Sequence, residues 1–229
     1  MANCYEEIVF RLKEIAEVDY KNFNAKIVNT SLPVLGVRTP MMRKLASEIF
    51  KTDKYGYLEN CKFEFFEDVF IYGLVIANFD CEEFLKYLPK YLERVDSWAH
   101  IDSFVPSIKC IKKNKDKFFE FIKSEIFGAS GFFLRFLIVS LMDYYLEEKY
   151  LDYVFSAVER VDNRGYYNDM AIAWLISVAF VKFEGKTFDF IKNCKLSNFT
   201  LNKSISKIKD SFRVSRENKI LLQNFIRKN

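Results

Sequence analysis

Apolar residues recur at three- and four-residue intervals along almost the whole chain, and nowhere do they alternate long enough to make a β-strand. A first helix follows Asn3, which can cap it, with Ile8, Leu12 and Ile15 on its inner face. Thr39-Pro40 is a strong start signal, with Thr39 as N-cap and Pro40 at the first helical position, ahead of Met42, Leu45 and Ile49. The same periodicity predicts helices over 64–79, 82–94, 97–111, 114–125, 131–146, 147–160, 165–182, 186–194, 198–209 and 215–227. The breaks fall at Asn78-Phe79-Asp80, at Gly128 to Gly131 and at Asp162 to Gly165. A dozen or so short helices can form a globular bundle or a stack of helical hairpins of about 40 residues each.

The chain has 229 residues, 50% of them hydrophobic, which suits one domain or one continuous array over 1–229. Few breakers, with 7 Gly and 4 Pro, agree with long helices. The start of the chain is polar, so no signal peptide is expected, and no uncharged run is long enough to span a membrane. Cys4, Cys61, Cys81, Cys110 and Cys194 are odd in number and widely spread. That spacing argues against a disulfide framework or a zinc site and for a reducing, cytoplasmic location. A single histidine makes a histidine-based metal centre an unattractive reading.

The net charge of +4 is unevenly placed: nine basic residues face two acidic ones from Lys195 to Asn229, a net +7 that leaves −3 for the rest. A second basic run comprises Lys109, Lys112, Lys113, Lys115 and Lys117. Either cluster suits a phosphate backbone, and either is equally an ordinary solvated helix face.

Four segments carry chemistry. In Leu35-Gly36-Val37-Arg38-Thr39-Pro40, Gly36 permits a tight turn and Arg38 stands at the mouth of a helix, with Arg43 and Lys44 close behind. This can hold a phosphate or be a plain capped helix. In Trp98-Ala99-His100-Ile101-Asp102, the indole and the carboxylate share one helix face. A carboxylate beside a flat ring can stabilise an oxocarbenium-like sugar or hold the water that attacks it. The competing reading is a packed Trp with a surface Asp. His100 points elsewhere and reads as structural or surface. In the third segment, Arg135 is ringed by apolar residues and needs a partner: Asp102, a phosphate, or an internal acid such as Asp143 or Glu147. In the fourth, Trp174 follows Tyr167 by seven residues, which makes an aromatic wall for nucleotides or ordinary packing. Trp98, Arg135 and Trp174 are separated by 37 and 39 residues, the interval that sets equivalent positions of successive hairpins side by side.

Together these segments resemble the DNA alkylation repair family of AlkD-like glycosylases, from about residue 5 to about residue 195. The resemblance implies an all-α curved solenoid of HEAT-like helical hairpin repeats, an alpha-alpha superhelix. It implies a monofunctional glycosylase that hydrolyses the N-glycosidic bond of N3- or N7-alkylated purines in double-stranded DNA, without metal or other cofactor. Asp102 is then the catalytic carboxylate, Trp98 and Trp174 the walls against the damaged nucleotide, and Arg135 a phosphate contact. Tyr166 and Tyr167 match an aromatic pair near the same cleft, and Arg38 and Arg43 join the DNA-binding set. A curved solenoid that grips DNA can act as a monomer. The alternatives are a non-catalytic HEAT-like protein that binds DNA or acts as a scaffold, and a protein–protein adaptor.

Overall fold

The computed structural model describes residues 4–162 and 165–228. Fifteen α-helices and no strand occur among them, so the fold is all-α. The chain divides into two compact units, Met1–Lys115 and Asp116–Asn229.

The first unit holds α1 (Cys4–Glu14), α2 (Val18–Val28), α3 (Thr39–Thr52), α4 (Lys54–Asn60), α5 (Phe66–Ile76), α6 (Cys81–Leu92), α7 (Trp98–Phe104) and α8 (Cys110–Lys113). Every residue of α5 is buried, as expected of a helix that is apolar nearly all round. It packs on α3, α6 and α7. The second unit holds α9 (Lys115–Glu125) from its second residue on, α10 (Gly131–Tyr144), α11 (Leu151–Arg160), α12 (Gly165–Lys182), α13 (Glu184–Asn193), α14 (Asn198–Asp210) and α15 (Arg216–Gln223). Here α12 is central and packs on α10, α13 and α14.

Both units share one packing rule: a helix meets the helix two further along. α3 packs on α5 and α5 on α7, while α10 packs on α12 and α12 on α14. Alternate helices therefore make a layer in each unit, the arrangement that stacked helical hairpins produce. The interval of 39 residues between Arg135 and Trp174 lands on this layer, since α10 and α12 are successive members of it.

Two charges inside α5 look misplaced until their partners are found. Glu67 is fully buried, and its carboxylate accepts the backbone N–H groups of Leu35 (3.0 Å), Gly36 (2.8 Å) and Val37 (3.2 Å). Asp68, also buried, accepts the Tyr5 hydroxyl at 2.8 Å and the N–H groups of Glu64 (2.9 Å) and Phe65 (3.0 Å). Both sit in the first turn of α5, where the helix dipole favours negative charge. Gly36 is needed for this loop. Its φ is +98°, and a Cβ there would lie 2.6 Å from the Glu17 carbonyl oxygen.

Several local expectations shift. Thr39 is the first helical residue and not the N-cap; the Arg38 carbonyl already accepts from Met41 and Met42, and no side chain caps α3. Asn3 lies outside the described residues. The single helix expected over 97–111 is broken by a 3-10 turn at Val105–Ser107, because Pro106 has no N–H to continue the ladder. Helices α2 and α4 were not anticipated. α2 leaves Val18, Phe23 and Ile27 exposed, so it lacks an inward apolar stripe. α4 is short and contains Gly56, whose N–H is capped by Asp53 at 2.9 Å. No helix among the described residues is long and apolar enough to cross a membrane.

Candidate active site and nucleic-acid interface

In the first unit, Trp98 and Asp102 ride on α7, and the start of that helix is stitched to the end of α2. Asn29 stops α2 in the left-handed region, with φ of 47°. The last carbonyls of α2 then need donors. The Ser97 hydroxyl donates to the Val28 carbonyl, and the Trp98 indole Nε1–H donates to the Ile27 carbonyl at 3.2 Å. Ser97 Oγ also accepts the Ala99 N–H at 3.2 Å and so caps α7. Asp96 accepts the Thr30 hydroxyl at 2.8 Å and the Ser31 N–H and hydroxyl, each at 2.7 Å. Burial opposes the charge on Asp96, but the bonds from Ser31 and Thr30 outweigh it and hold the carboxyl below its usual range.

His100 lies beneath this turn, 1% exposed, and stacks on Phe66 with ring centroids 4.4 Å apart. Its Nε2 is 3.1 Å from the Phe66 carbonyl oxygen, which can only accept, so Nε2 carries the proton. Burial lowers its pKa to about 4, and the ring is neutral at neutral pH. The structural reading of His100 holds; its place is the core, not the surface. Tyr91, fully buried, donates to the His100 carbonyl at 3.1 Å. Burial and then the charge of Asp102 push the Tyr91 hydroxyl well above its ordinary range. Trp98 and Asp102 themselves are half-buried.

Arg38 and Arg43 follow different courses. Arg38 Nε and Nη2 grip the Glu17 carboxylate at 2.8 Å each, with the guanidinium 4.9 Å from the centre of the Tyr20 ring. The amides of Leu35, Gly36 and Val37, which could have served a phosphate, are bonded to Glu67. Arg43 is exposed and reaches from α3 to the end of α7, donating to Ser107 Oγ at 2.8 Å and to the Ser103 carbonyl at 3.4 Å.

In the second unit, Arg135 of α10 is 4% exposed, and its Nη1 donates to the Tyr167 carbonyl at the start of α12. Asn168 repeats the link, donating from Nδ2 to the Gly131 carbonyl at 3.0 Å. Tyr166 is 59% exposed and meets Tyr167 edge-on, with centroids 5.3 Å apart. It also meets Phe199 at the start of α14, at 6.1 Å. Phe199 is itself exposed, with Lys203 Nζ 5.8 Å from its ring centre. Sequence reasoning missed Phe199, since one aromatic beside a helix cap carries no periodic signal. Trp174, two turns beyond Tyr167, is half-buried. The basic tail is not all surface: the Arg227 guanidinium donates to the carbonyls of Leu196 (2.7 Å) and Cys194 (2.6 Å), closing the end of α13.

No curated protein sequence matches the chain. The family described as DNA alkylation repair enzyme matches it over residues 8–208, which includes α3, α7, α10 and α12. With most of its length matched, and with Arg38, Arg43, Trp98, Asp102, Arg135, Tyr166, Tyr167 and Trp174 inside the match, the chain belongs to the DNA alkylation repair enzyme family.

Proposed function

We propose that the protein is a monofunctional DNA glycosylase that hydrolyses the N-glycosidic bond of N3- or N7-alkylated purines in duplex DNA. The observation that carries the reading is the pairing of a half-buried carboxylate, Asp102, with a half-buried indole, Trp98, on a helix whose start is tied by Ser97 and Trp98 to the end of α2. A fixed carboxylate costs little reorganisation when charge develops next to it.

Alkylation at N3 or N7 leaves the purine positively charged, so it departs with the bonding electrons as a neutral base and needs no protonation. The sugar becomes oxocarbenium-like at its anomeric carbon. Asp102 stabilises that charge and holds the attacking water, whose oxygen bonds to the anomeric carbon while its proton passes through the carboxylate to solvent. In this reading Trp98 and Trp174 are the aromatic surfaces for the damaged nucleotide, Tyr166 and Tyr167 add aromatic contacts to DNA, and Arg38 and Arg43 meet its backbone. Arg135 is a positioning residue, since its Nη1 holds the carbonyl of Tyr167.

The test is release of 7-methylguanine from methylated duplex DNA. Asp102→Asn is expected to lose at least about tenfold in rate, equivalent to about 1.4 kcal/mol of transition-state stabilisation. No release by the unmodified protein overturns the enzymatic reading and leaves a DNA-binding protein; equal release by both removes Asp102 from its role.

A further inference from the structure

An open cleft of about 330 Å³ lies in the first unit, apart from Trp98 and Asp102, between α3, the end of α5 and the stretch from Pro106 to Lys109. Its charged lining consists of two cations, Arg43 and Lys109; its polar lining is Ser47, Asn78 and Ser107, and it contains no carboxylate. The two cations differ in how they are held. Arg43 is set in place by Ser107 Oγ and the Ser103 carbonyl, which use one N–H on each terminal nitrogen and leave further N–H groups of the guanidinium to donate. Lys109 is exposed, and its ammonium makes no hydrogen bond or ion pair among the described residues.

Two like charges sharing a cleft repel each other, and nothing in its wall compensates them. An anion with several acceptor oxygens removes that cost. The donors converge from separate elements: a guanidinium from α3, an ammonium from the residue before α8, and an amide from Asn78, whose Nδ2 spends one bond on the Leu74 carbonyl at 2.8 Å. A tetrahedral phosphate accepts from several directions at once, whereas a planar carboxylate suits a single fork. Because Arg43 is already ordered, little side-chain entropy is lost when it binds.

We propose that this cleft seats one phosphate of the DNA backbone, held by Arg43 and Lys109. The inference rests on the reading that the protein binds duplex DNA, and it adds a contact site distinct from the carboxylate chemistry. A backbone contact of this kind positions the duplex without reading its sequence.

The experiment measures affinity for an undamaged duplex between about 50 and 200 mM salt, a range over which backbone contacts dominate the change. It compares the unmodified protein, Lys109→Gln and Arg43→Gln. Each variant is expected to flatten the slope of log K against log salt by about one, the signature of one lost phosphate contact. Lys109→Gln should melt at the unmodified temperature, which keeps the test valid if Arg43→Gln loosens α3 from α7. Titration with inorganic phosphate at constant ionic strength separates the sources. A flattened slope without saturable phosphate binding supports the backbone seat. Saturable, Lys109-dependent phosphate binding with an unchanged DNA slope assigns the cleft to free phosphate and overturns the proposal. An unchanged slope without phosphate binding overturns it as well. Duplex binding by the unmodified protein with unaltered variants sinks this site alone, whereas absence of base release sinks only the glycosylase reading.

Discussion

In the first unit, Trp98 opens a helix of 7 residues, and that helix owes its position to Ser97, Asp96 and the indole N–H itself, each bonded to the end of α2 or the loop after it. In the second, Trp174 stands midway along a helix of 18 residues that is buried over most of its inner side. There the start of the helix is linked to α10 by the buried cation of Arg135 and by the Asn168 amide. Anchoring is spread over many small groups around α7, whereas at the start of α12 it runs through the buried Arg135 and Asn168 towards α10 and through Asp169, which accepts the Thr200 hydroxyl at 2.7 Å, towards α14. A seven-residue helix has nearly all of its N–H and C=O groups at an end, so it depends on partners from outside. A long apolar helix draws its stability from packing and needs polar links only to set its register.

This contrast can be broken by substitution. The largest effect is expected for Arg135→Ala, about 3–4 kcal/mol in denaturant unfolding, since it empties a packed site and strips the Tyr167 carbonyl of a charged donor. A loss below about 1 kcal/mol would show that α12 does not depend on this one residue.

The second test uses protons, because the first unit holds the only histidine. Burial sets His100 at about 4 against an ordinary 6.5, so its contribution to stability is present above about pH 6.5 and lost as pH falls towards 4. Asp68 runs the other way: burial raises it from 3.8 to about 6, so its contribution is present at low pH and lost as pH rises through about 6. The two slopes oppose each other between about pH 4 and 6. Replacing His100 by Asn leaves Asp68 unopposed. The stability gap between the unmodified protein and the variant should shrink by about 3 kcal/mol from pH 7 to pH 4. A gap that stays constant with pH would deny His100 its buried, neutral state.

The smallest effect is expected for Trp98→Phe, which keeps an aromatic ring and deletes one N–H bond to the Ile27 carbonyl. Its cost should be about 1 kcal/mol, read as a small shift in the unfolding midpoint. A loss as large as that of Arg135→Ala would mean that anchoring in the first unit is concentrated after all.

Much of the fold was legible because helix periodicity and turn residues are local signals. The all-α class and most helix positions follow from them. What escaped was non-local. Nothing in Glu67 announces that its carboxylate will bind amides about 30 residues earlier in the chain. Nothing in Arg227 reveals that it closes the end of α13 instead of adding to a basic face. Among the candidate residues, the Trp98 and Asp102 spacing was readable as one helix face, while the use of the indole N–H as a cap for α2 was not. Arg135 had to find a partner, as its apolar surroundings demanded, and one of its partners is the backbone carbonyl of Tyr167, which no feature of the sequence announced.

The three amides gathered on Glu67 have a consequence for work in solution. That loop carries its own covalently tethered counter-ion, which no dialysis can remove and no added electrolyte can dilute. The backbone from Leu35 to Val37 should therefore keep its conformation at ionic strengths that strip a polyanion from the surface, so that salt titrations of DNA binding report lost contacts and not a loop coming undone.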